Sequence, residues 1–231
     1  MKKIIIFGGT GDLGKEICKF FYKKGNDIIF TSTSKKKGNK FLKSIYRKEK
    51  NNKIISTICN VLDEKSIFKT IKFAYGKFNN IDMAINCMGV FNYDIIKNIN
   101  YNSLVKCFKI NALSIFIINK YFAKNKIKKK YLKIISLGSS SAFDGYKDTI
   151  SYCGSKHALL GIIRSLNKTL YKKRIINYCL STGSLKNRMG RKVKNANFEE
   201  FIEQKEVIKT ISYIYDLDVR GVPQEIFIKR C

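Results

Sequence analysis

Short apolar runs alternate with longer amphipathic stretches along the whole chain. The runs are rich in Ile and end at Gly, Asn, Ser or Lys, which is typical of buried strands. Between them, apolar residues recur every three or four positions, which is typical of helices that bury one face. The predicted strands are Lys3–Phe7, Ile28–Thr33, Ile54–Ile58, Met83–Asn86, Lys133–Leu137, Ile175–Leu180 and Glu225–Lys229. The predicted helices are Leu13–Lys24, Asn39–Arg47, Lys65–Tyr75, Asn102–Phe122, Tyr152–Leu170 and Phe198–Ile214.

Strands that are apolar at successive positions bury both faces, as they do in a parallel sheet covered by helices on each side. The alternation of strands and helices therefore predicts a doubly wound, Rossmann-type α/β fold of about seven parallel strands. No linker, internal repeat or low-complexity tail divides the sequence, and we expect one domain over residues 1–231. Ligands of such sheets bind beyond the C-terminal ends of the strands, so functional residues are expected there.

Composition and charge exclude several classes of protein. An apolar fraction of 45% is too high for a disordered chain. The 46 Lys and Arg residues exceed the 17 Asp and Glu residues, which gives a formal charge of +29. Only seven of the 46 basic residues are Arg, the side chain best suited to phosphate and base contacts. The Lys residues are spread over every segment. The charge therefore indicates a solvated, Lys-rich surface and no nucleic-acid partner.

Neither a membrane anchor nor an oxidising compartment is expected. Lys or Asn interrupts every apolar run before it reaches the roughly 18 residues that a membrane span needs. The seven cysteines are scattered, odd in number and without a C-x-x-C pair. These features predict a reduced, cytoplasmic protein with no disulfide framework and no metal site.

A glycine-rich turn joins the first strand to the first helix, with Gly8, Gly11 and Gly14 in the spacing G-x-x-G-x-x-G. Gly8 permits a tight turn, Gly11 lets a diphosphate approach the backbone, and Gly14 lets the helix pack against the strand. The N-terminus of the helix then offers free N–H groups and a positive dipole end to the phosphates. The turn predicts dinucleotide binding, with a purely structural turn as the alternative. The expected contacts are Gly8, Thr10, Gly11, Asp12, Leu13 and Gly14.

The end of the second strand distinguishes the two nicotinamide cofactors. An acidic residue there would bind the 2′-hydroxyl of NAD(H), whereas basic and hydroxyl groups suit the 2′-phosphate of NADP(H). No Asp or Glu follows this strand, and Asp27 precedes it. We therefore expect NADP(H) in preference to NAD(H). The residues expected to contact the 2′-phosphate are Ser32, Thr33, Ser34 and Lys35.

Tyr152 and Lys156 lie four residues apart and so share one face of a predicted helix. A phenol has an ordinary pKa near 10, and a neighbouring cation favours its charged form. Such a pair can exchange a proton with a carbonyl or alcohol oxygen. A Tyr and a Lys four residues apart are common by chance in a chain with 13 Tyr and this much Lys. The surrounding sequence must therefore show whether this pair is catalytic.

That context resembles the short-chain dehydrogenase/reductase family in its compact, single-domain form. Five features follow one another in order over nearly the whole chain. They are the glycine turn, Asn86-Cys87-Met88-Gly89 after the fourth strand, Asn111 in a long helix, Ser139 after the fifth strand, and Tyr152 with Lys156.

The resemblance implies a catalytic tetrad and a carbonyl or alcohol as the small-molecule substrate. Tyr152 would be the general acid in carbonyl reduction, and Ser139 would hydrogen-bond the substrate oxygen. Lys156 would lower the pKa of Tyr152 and hold the nicotinamide ribose, while Asn111 would position a proton-relaying water. Further cofactor contacts would be Asn60, Val61, Asn86, Cys87, Met88, Gly89, Thr182 and Gly183.

Some positions depart from the family pattern. Asp12 occupies the place of a glycine, and we expect its carboxylate to turn outward and cap the helix. Asn60 stands where an Asp often contacts adenine, and Thr182 replaces a Pro. The glycine spacing also resembles extended members of the family, which leaves a nucleotide-sugar dehydrogenase or epimerase as an alternative. A non-catalytic NADP-binding regulator is another.

Two expectations concern assembly and substrate entry. The helix Asn102–Phe122 is apolar nearly all round between Ala112 and Ile118, more than one sheet face can cover. With Tyr152–Leu170 it is therefore expected to form a homodimer or homotetramer interface. Residues 186–201 carry basic and polar side chains and are expected to form a small lid over the substrate.

Overall fold

Seven parallel strands form a single sheet in the computed structural model, which describes residues 1–46, 51–125, 130–219 and 221–230. The order across the sheet is β3-β2-β1-β4-β5-β6-β7. The strands are β1 Lys3–Phe7, β2 Asp27–Ser32, β3 Ile54–Ile58, β4 Met83–Asn86, β5 Leu132–Leu137, β6 Ile175–Thr182 and β7 Glu225–Ile228.

Helices cover both faces of the sheet because the central strands carry apolar side chains on both faces. Ile4 and Ile6 of β1 pack in one core, while Ile5 and Phe7 pack in another on the opposite face. The first core is covered by α1 Asp12–Lys23, α2 Lys35–Ile45 and α7 Gln204–Asp216. The second is covered by α3 Glu64–Phe78, α5 Ser114–Asn125 and α6 Ile150–Leu170. A short helix, α4 Tyr101–Phe108, precedes α5.

The predicted doubly wound α/β fold is confirmed, and every predicted strand is present. The boundaries shift by a few residues. For example, α2 begins at Lys35 rather than Asn39, because Ser34 accepts a hydrogen bond from the Lys37 N–H and caps the helix there. The predicted end of α2 at Arg47 lies outside the described residues.

The predicted start of the last long helix at Phe198 was wrong. Residues Phe198–Glu200 form a separate 3₁₀ turn, and α7 begins at Gln204. The reason is tertiary: Ile202 pairs with Leu185 in an isolated parallel bridge, which holds the backbone extended between turn and helix. Local apolar spacing carries no information about that pairing.

One described helical stretch, Tyr101–Asn125, is long and apolar enough to cross a membrane by length and composition alone. In the fold it packs against α3 and α6, with Cys107, Ile118 and Phe122 buried. This packing is that of a core helix in an α/β domain.

The crevice of the fold lies where the strand order reverses, between β1 and β4. From β1 the chain moves outward to β2 and β3, then returns across the sheet to β4 on the other side of β1. The segments that follow β1 and β4 diverge at this point, which is where doubly wound sheets bind their ligands.

Candidate active site

The glycine turn after β1 is tight and is packed directly against the end of β4. Gly8 has φ +75°, the left-handed conformation that glycine adopts without strain, and a Cβ there would lie 3.0 Å from the backbone N of Met88. A Cβ on Gly14 would overlap the Gly8 carbonyl oxygen. The Gly8 N–H donates to Thr31 Oγ1 of β2 at 2.9 Å. No side chain caps the N-terminus of α1, which leaves its first N–H groups available to a phosphate.

Asp12, the first residue of α1, does not cap the helix as the sequence suggested. Its carboxylate turns outward and accepts two hydrogen bonds from Arg188 Nε, at 2.8 and 3.0 Å, and one from the Arg188 backbone N–H at 3.0 Å. The pKa of Asp12 is lowered: partial burial raises it, but the hydrogen bonds from Arg188 outweigh that effect. The carboxylate is therefore ionised and paired.

The end of β2 presents hydroxyl groups and lysines and no acidic side chain. Ser32 Oγ donates to the Ser34 carbonyl at 3.0 Å, Thr33 is exposed, and Thr10 Oγ1 lies 3.4 Å from Ser32 Oγ. Lys35 begins α2, whose first turn contains no Asp or Glu. Asp27, at the start of β2, lies at the opposite end of the strand and accepts a hydrogen bond from the Lys53 N–H.

The candidate adenine contact at Asn60 is part of a turn. Its Oδ1 accepts from the Leu62 N–H at 3.1 Å, and its own N–H donates to Ser66 Oγ at 3.0 Å. Val61 is half-buried beside it. Because a carboxamide oxygen can accept two hydrogen bonds, Asn60 retains the capacity for a second donor.

The segment after β4 packs against the glycine turn and against Asn111. Asn86 ends β4 and is buried, with its Nδ2 donating to Ser136 Oγ at 2.9 Å. Burial raises the pKa of the Cys87 thiol to about 12, so this thiol is protonated and unreactive. Met88 packs at the edge of two cores, and a Cβ on Gly89 would lie 3.5 Å from Asn111 Oδ1.

Ser139, Tyr152 and Lys156 converge at the C-terminal end of β5. Lys156 Nζ donates to the Leu137 carbonyl at 2.8 Å and lies 5.7 Å from the centroid of the Tyr152 ring. Burial raises the pKa of the Tyr152 phenol, and the nearby Ser139 hydroxyl opposes this effect in part. Ser139 and Lys156 are both buried. The structure thus places a hydroxyl, a phenol and an amine around one point.

The effect of Lys156 on the pKa of Tyr152 stays a prediction, while burial dominates the pKa of both groups. Burial raises the pKa of Tyr152 to about 12, and burial lowers the pKa of Lys156 to about 8. Burial in low-dielectric surroundings disfavours both charged forms. The site therefore holds the proton on the phenol, where a general acid needs it.

Asn111 lies on a short π-helical segment, Lys109–Leu113, between α4 and α5. Its side chain brackets Val90: Oδ1 accepts from the Val90 N–H at 2.9 Å and Nδ2 donates to the Val90 carbonyl at 3.0 Å. Nδ2 also lies 3.0 Å from Ser155 Oγ, which in turn donates to the Tyr152 carbonyl. These bonds join the loop after β4 to the helix that carries Tyr152.

Two residues of this loop were missed by the sequence analysis. Phe91 packs edge-on against the Tyr152 ring, with centroids 4.9 Å apart. Asp94 is buried, and its Oδ2 accepts from both the backbone N–H of Ser151, at 2.8 Å, and Ser151 Oγ. A carboxylate at this position stabilises the N-terminus of α6 and fixes the residue before Tyr152. Asp94 and Ser151 lie 57 positions apart, and no local pattern joins them.

A cleft of about 490 Å³ opens beside Phe91. One wall comes from the loop after β4 and the start of α4, and the other from the segment between β6 and α7. Its lining includes Asn92, Asn98, Ile99, Asn100 and Lys192.

Thr182 ends β6 and is buried, and Gly183 follows it, with its N–H donating to the Ile228 carbonyl.

The family model for the short chain dehydrogenases matches residues 2–197. The chain belongs to the short-chain dehydrogenase family. The 3-oxoacyl-(acyl-carrier-protein) reductase FabG of Buchnera aphidicola subsp. Schizaphis graminum is 30% identical to it over 200 residues, 87% of this chain and 79% of that protein. FabG of Rickettsia typhi is 26% identical over 225 residues, 97% of this chain and 86% of that protein. This short-chain dehydrogenase is therefore an NAD(P)-dependent oxidoreductase.

Solved structures share the fold of this short-chain dehydrogenase. A short-chain dehydrogenase/reductase from Serratia marcescens superimposes with a TM-score of 0.86 at 18% identity, over 99% of this chain and 96% of that one. An actinorhodin polyketide ketoreductase solved with NADPH gives 0.86 at 16% identity, over 100% and 96%.

The residues of this chain fit a bound dinucleotide. No side chain caps α1 at the glycine turn, and the Cβ positions at Gly8 and Gly14 are blocked by backbone. Asn86 Oδ1 is buried without a hydrogen-bond partner among the described residues. A turn open to phosphates and a polar atom at the strand end beside it are what the cofactor needs.

Proposed function

We propose that this short-chain dehydrogenase uses NADPH to reduce a carbonyl group, in an aldehyde, ketone or 3-oxoacyl compound, to an alcohol. The convergence of Ser139, Tyr152 and Lys156 beside the cleft, with the proton held on the phenol, is the observation that supports this reaction. When bound, the reduced nicotinamide supplies a hydride to the carbonyl carbon.

Each polar group of the site has a defined part in this proposal. Tyr152 donates its proton to the substrate oxygen as negative charge develops there, and the Ser139 hydroxyl donates a second hydrogen bond. The Lys156 ammonium lies close enough to stabilise the phenolate that forms, and it holds the ribose of the cofactor. Asn111 carries the water that returns a proton to Lys156, from a position fixed by its two bonds to Val90.

The preference for NADPH rests on the end of β2. Lys35, Lys36 and Lys37 open α2, and their charges add to the positive dipole end of that helix. Ser32, Thr33 and Ser34 supply hydroxyl groups at the same place. A 2′-phosphate would meet donors and cations there, whereas a 2′-hydroxyl would find no carboxylate to accept its hydrogen bond.

The cleft favours a substrate with a polar or anionic tail. Three asparagines, Asn92, Asn98 and Asn100, offer amide donors and acceptors, and Lys192 adds a cation. Residues 186–201 act as the lid in this proposal, since Lys192 lines the cleft and the Lys194 N–H donates to Tyr93 Oη at 2.7 Å. A 3-oxoacyl group on a carrier arm, as in the name of the FabG relatives, suits these features.

A carbonyl panel tests the reaction and the cofactor together. The wild-type protein should oxidise NADPH in the presence of a 3-oxoacyl thioester, an aldehyde or a ketone, and yield an equimolar alcohol. NADH should support a rate lower by about tenfold or more, because an ion pair and hydrogen bonds to the phosphate are lost. Binding of NADPH without turnover of any carbonyl would indicate a non-catalytic regulator. Sugar-nucleotide conversion without net cofactor oxidation would indicate an epimerase.

We propose that the protein assembles as a homodimer or homotetramer through α5 and α6. Leu113 and Phe116 leave 45% and 48% of their surface exposed, and Ile117 of α5 and Ile162 of α6 are half-buried. Such an apolar patch on packed helices is typical of a subunit interface.

Light scattering should give two or four times the mass of one chain. Phe116→Lys should lower that mass, while Leu62→Lys, a comparably exposed residue beyond β3, should not. A monomeric wild-type protein at micromolar concentration would contradict this assembly.

A further inference from the structure

The ion pair between Asp12 and Arg188 joins two parts of the chain that are 176 positions apart. Asp12 opens α1, directly after Gly11 of the glycine turn. Arg188 lies on the segment between β6 and α7, where its side chain is 77% exposed. The pair therefore holds the segment after β6 against the start of α1, beside the turn where a diphosphate would bind.

A short turn fixes the direction of the Arg188 backbone. Asn187 Oδ1 accepts from the Gly190 N–H at 2.9 Å, and the Asn187 carbonyl accepts from the Arg191 N–H at 3.0 Å. Gly190 is buried, and a Cβ there would overlap the Leu185 carbonyl oxygen. Because this turn holds its shape, the Arg188 N–H points at Asp12 together with the side-chain Nε.

The guanidinium retains donors for a second anion. Among the described residues, every side-chain hydrogen bond of Arg188 runs from Nε to Asp12. Its Nη1 and Nη2 groups keep their capacity to donate, and a guanidinium suits a phosphate oxygen in just this forked geometry. Asp12 alone would repel a diphosphate, but with Arg188 bound to it the local charge is balanced.

We propose that Arg188 is a diphosphate-binding residue, held in place by Asp12, and that the two residues form a strap across the bound dinucleotide. This inference rests on the proposed function only in requiring that the protein bind NADPH. Arg188 neutralises Asp12 and donates to the diphosphate, whereas Asp12 only orients Arg188. Loss of Arg188 should therefore be far more damaging to binding than loss of the Asp12 charge.

Four proteins test the strap by NADPH fluorescence titration, which needs no turnover: wild type, Arg188→Gln, Asp12→Asn and the double variant. Arg188→Gln should weaken NADPH binding by about tenfold or more, since a charged hydrogen bond is lost and a bare carboxylate is left. Asp12→Asn should stay within about fivefold of wild type, as expected for an exposed ion pair. The double variant should bind more tightly than Arg188→Gln, because the repelling carboxylate is gone.

Arg191→Gln is the matched control. Arg191 lies three residues further along the same segment, is exposed, and stacks on Phe198 at 4.3 Å rather than pairing with Asp12. It removes the same unit charge and should leave the NADPH affinity within about twofold of wild type. Equal losses in Arg188→Gln and Arg191→Gln would show a general charge effect and overturn the strap.

Two further outcomes separate the strap from the proposed function. If wild type binds NADPH and Arg188→Gln binds it equally well, the strap is wrong and the proposed function stands. If wild type binds no dinucleotide, both are wrong. Limited trypsin digestion gives a second readout: NADPH should slow cleavage after Lys192 and Lys194 in wild type, and this protection should be lost in Arg188→Gln.

Discussion

The Tyr152→Phe variant should reduce its carbonyl substrate with a kcat lowered by about 10³-fold, within the range of 10²–10⁴ typical of a lost general acid. The substitution removes one oxygen and keeps the ring, which packs edge-on against Phe91 at 4.9 Å. Ser139 and Lys156 keep their own bonds to the backbone of the loop and of β5. The affinity for NADPH should therefore change little, and the loss should fall on kcat when rates and titrations are compared.

Tyr171→Phe provides the control for this measurement. Tyr171 follows directly after α6, the helix that carries Tyr152, and is exposed to solvent at the far end of it. Its hydroxyl is expected to make no contribution to kcat. A Tyr152→Phe variant as active as the Tyr171→Phe variant would remove the phenol from the mechanism and leave another proton donor to be found.

The pH profile of the same kinetics follows from the two pKa values. Tyr152, with a pKa raised by burial to about 12, stays protonated throughout the accessible range. Lys156, with a pKa lowered by burial to about 8, is a cation below that pH and neutral above it. The cation stabilises the phenolate that forms during reduction, so kcat should be level below about pH 8 and fall above it. A profile without a bend near pH 8 would mean that the charge of Lys156 is not used.

The strands of this fold could be predicted closely because each carries its own signal. Runs such as Lys3–Phe7 and Met83–Asn86 are buried on both faces, and their boundaries in the structure match the predicted ones. The glycine turn is equally local: strand, turn and helix start lie within fifteen residues. The family resemblance added Asn111 and Ser139, which no spacing rule identifies.

What could not be predicted depends on contacts between distant segments. The π-helical turn at Lys109–Leu113 interrupts what reads as one continuous helix, and it is associated with the bracket between Asn111 and Val90. Asp94 reads as an ordinary loop residue in the sequence, because its hydrogen bond from the Ser151 N–H depends on the position of α6. Asp12 looks like a helix cap, but its partner is Arg188, which the sequence places 176 positions away. Each of these features involves the loops after β4 and β6, where the chain is least regular.

The Gly14→Ala variant should be destabilised by about 2 kcal/mol or more and should bind NADPH more weakly. The added Cβ would overlap the Gly8 carbonyl oxygen and lie 2.9 Å from Gly9 Cα. Both are backbone atoms, so the turn itself must move, at a cost of about 3 kcal/mol or more for overpacking a rigid site. The gain of about 1 kcal/mol in helix propensity offsets only part of that cost.

Gly161→Ala separates the steric effect of an added Cβ from its effect on helix propensity. Gly161 lies on the exposed side of α6, and a Cβ there would have no neighbour within 4 Å. Only the propensity gain remains, so this variant should be stabilised by about 1 kcal/mol, with NADPH affinity unchanged. Urea unfolding with equal m values measures both shifts. Gly14→Ala should lower the free energy of unfolding while Gly161→Ala raises it, provided that α1 lies against the turn after β1 as closely as in the structure. A stabilised Gly14→Ala protein would therefore show that the turn is more open and that its N–H groups are not set for a diphosphate.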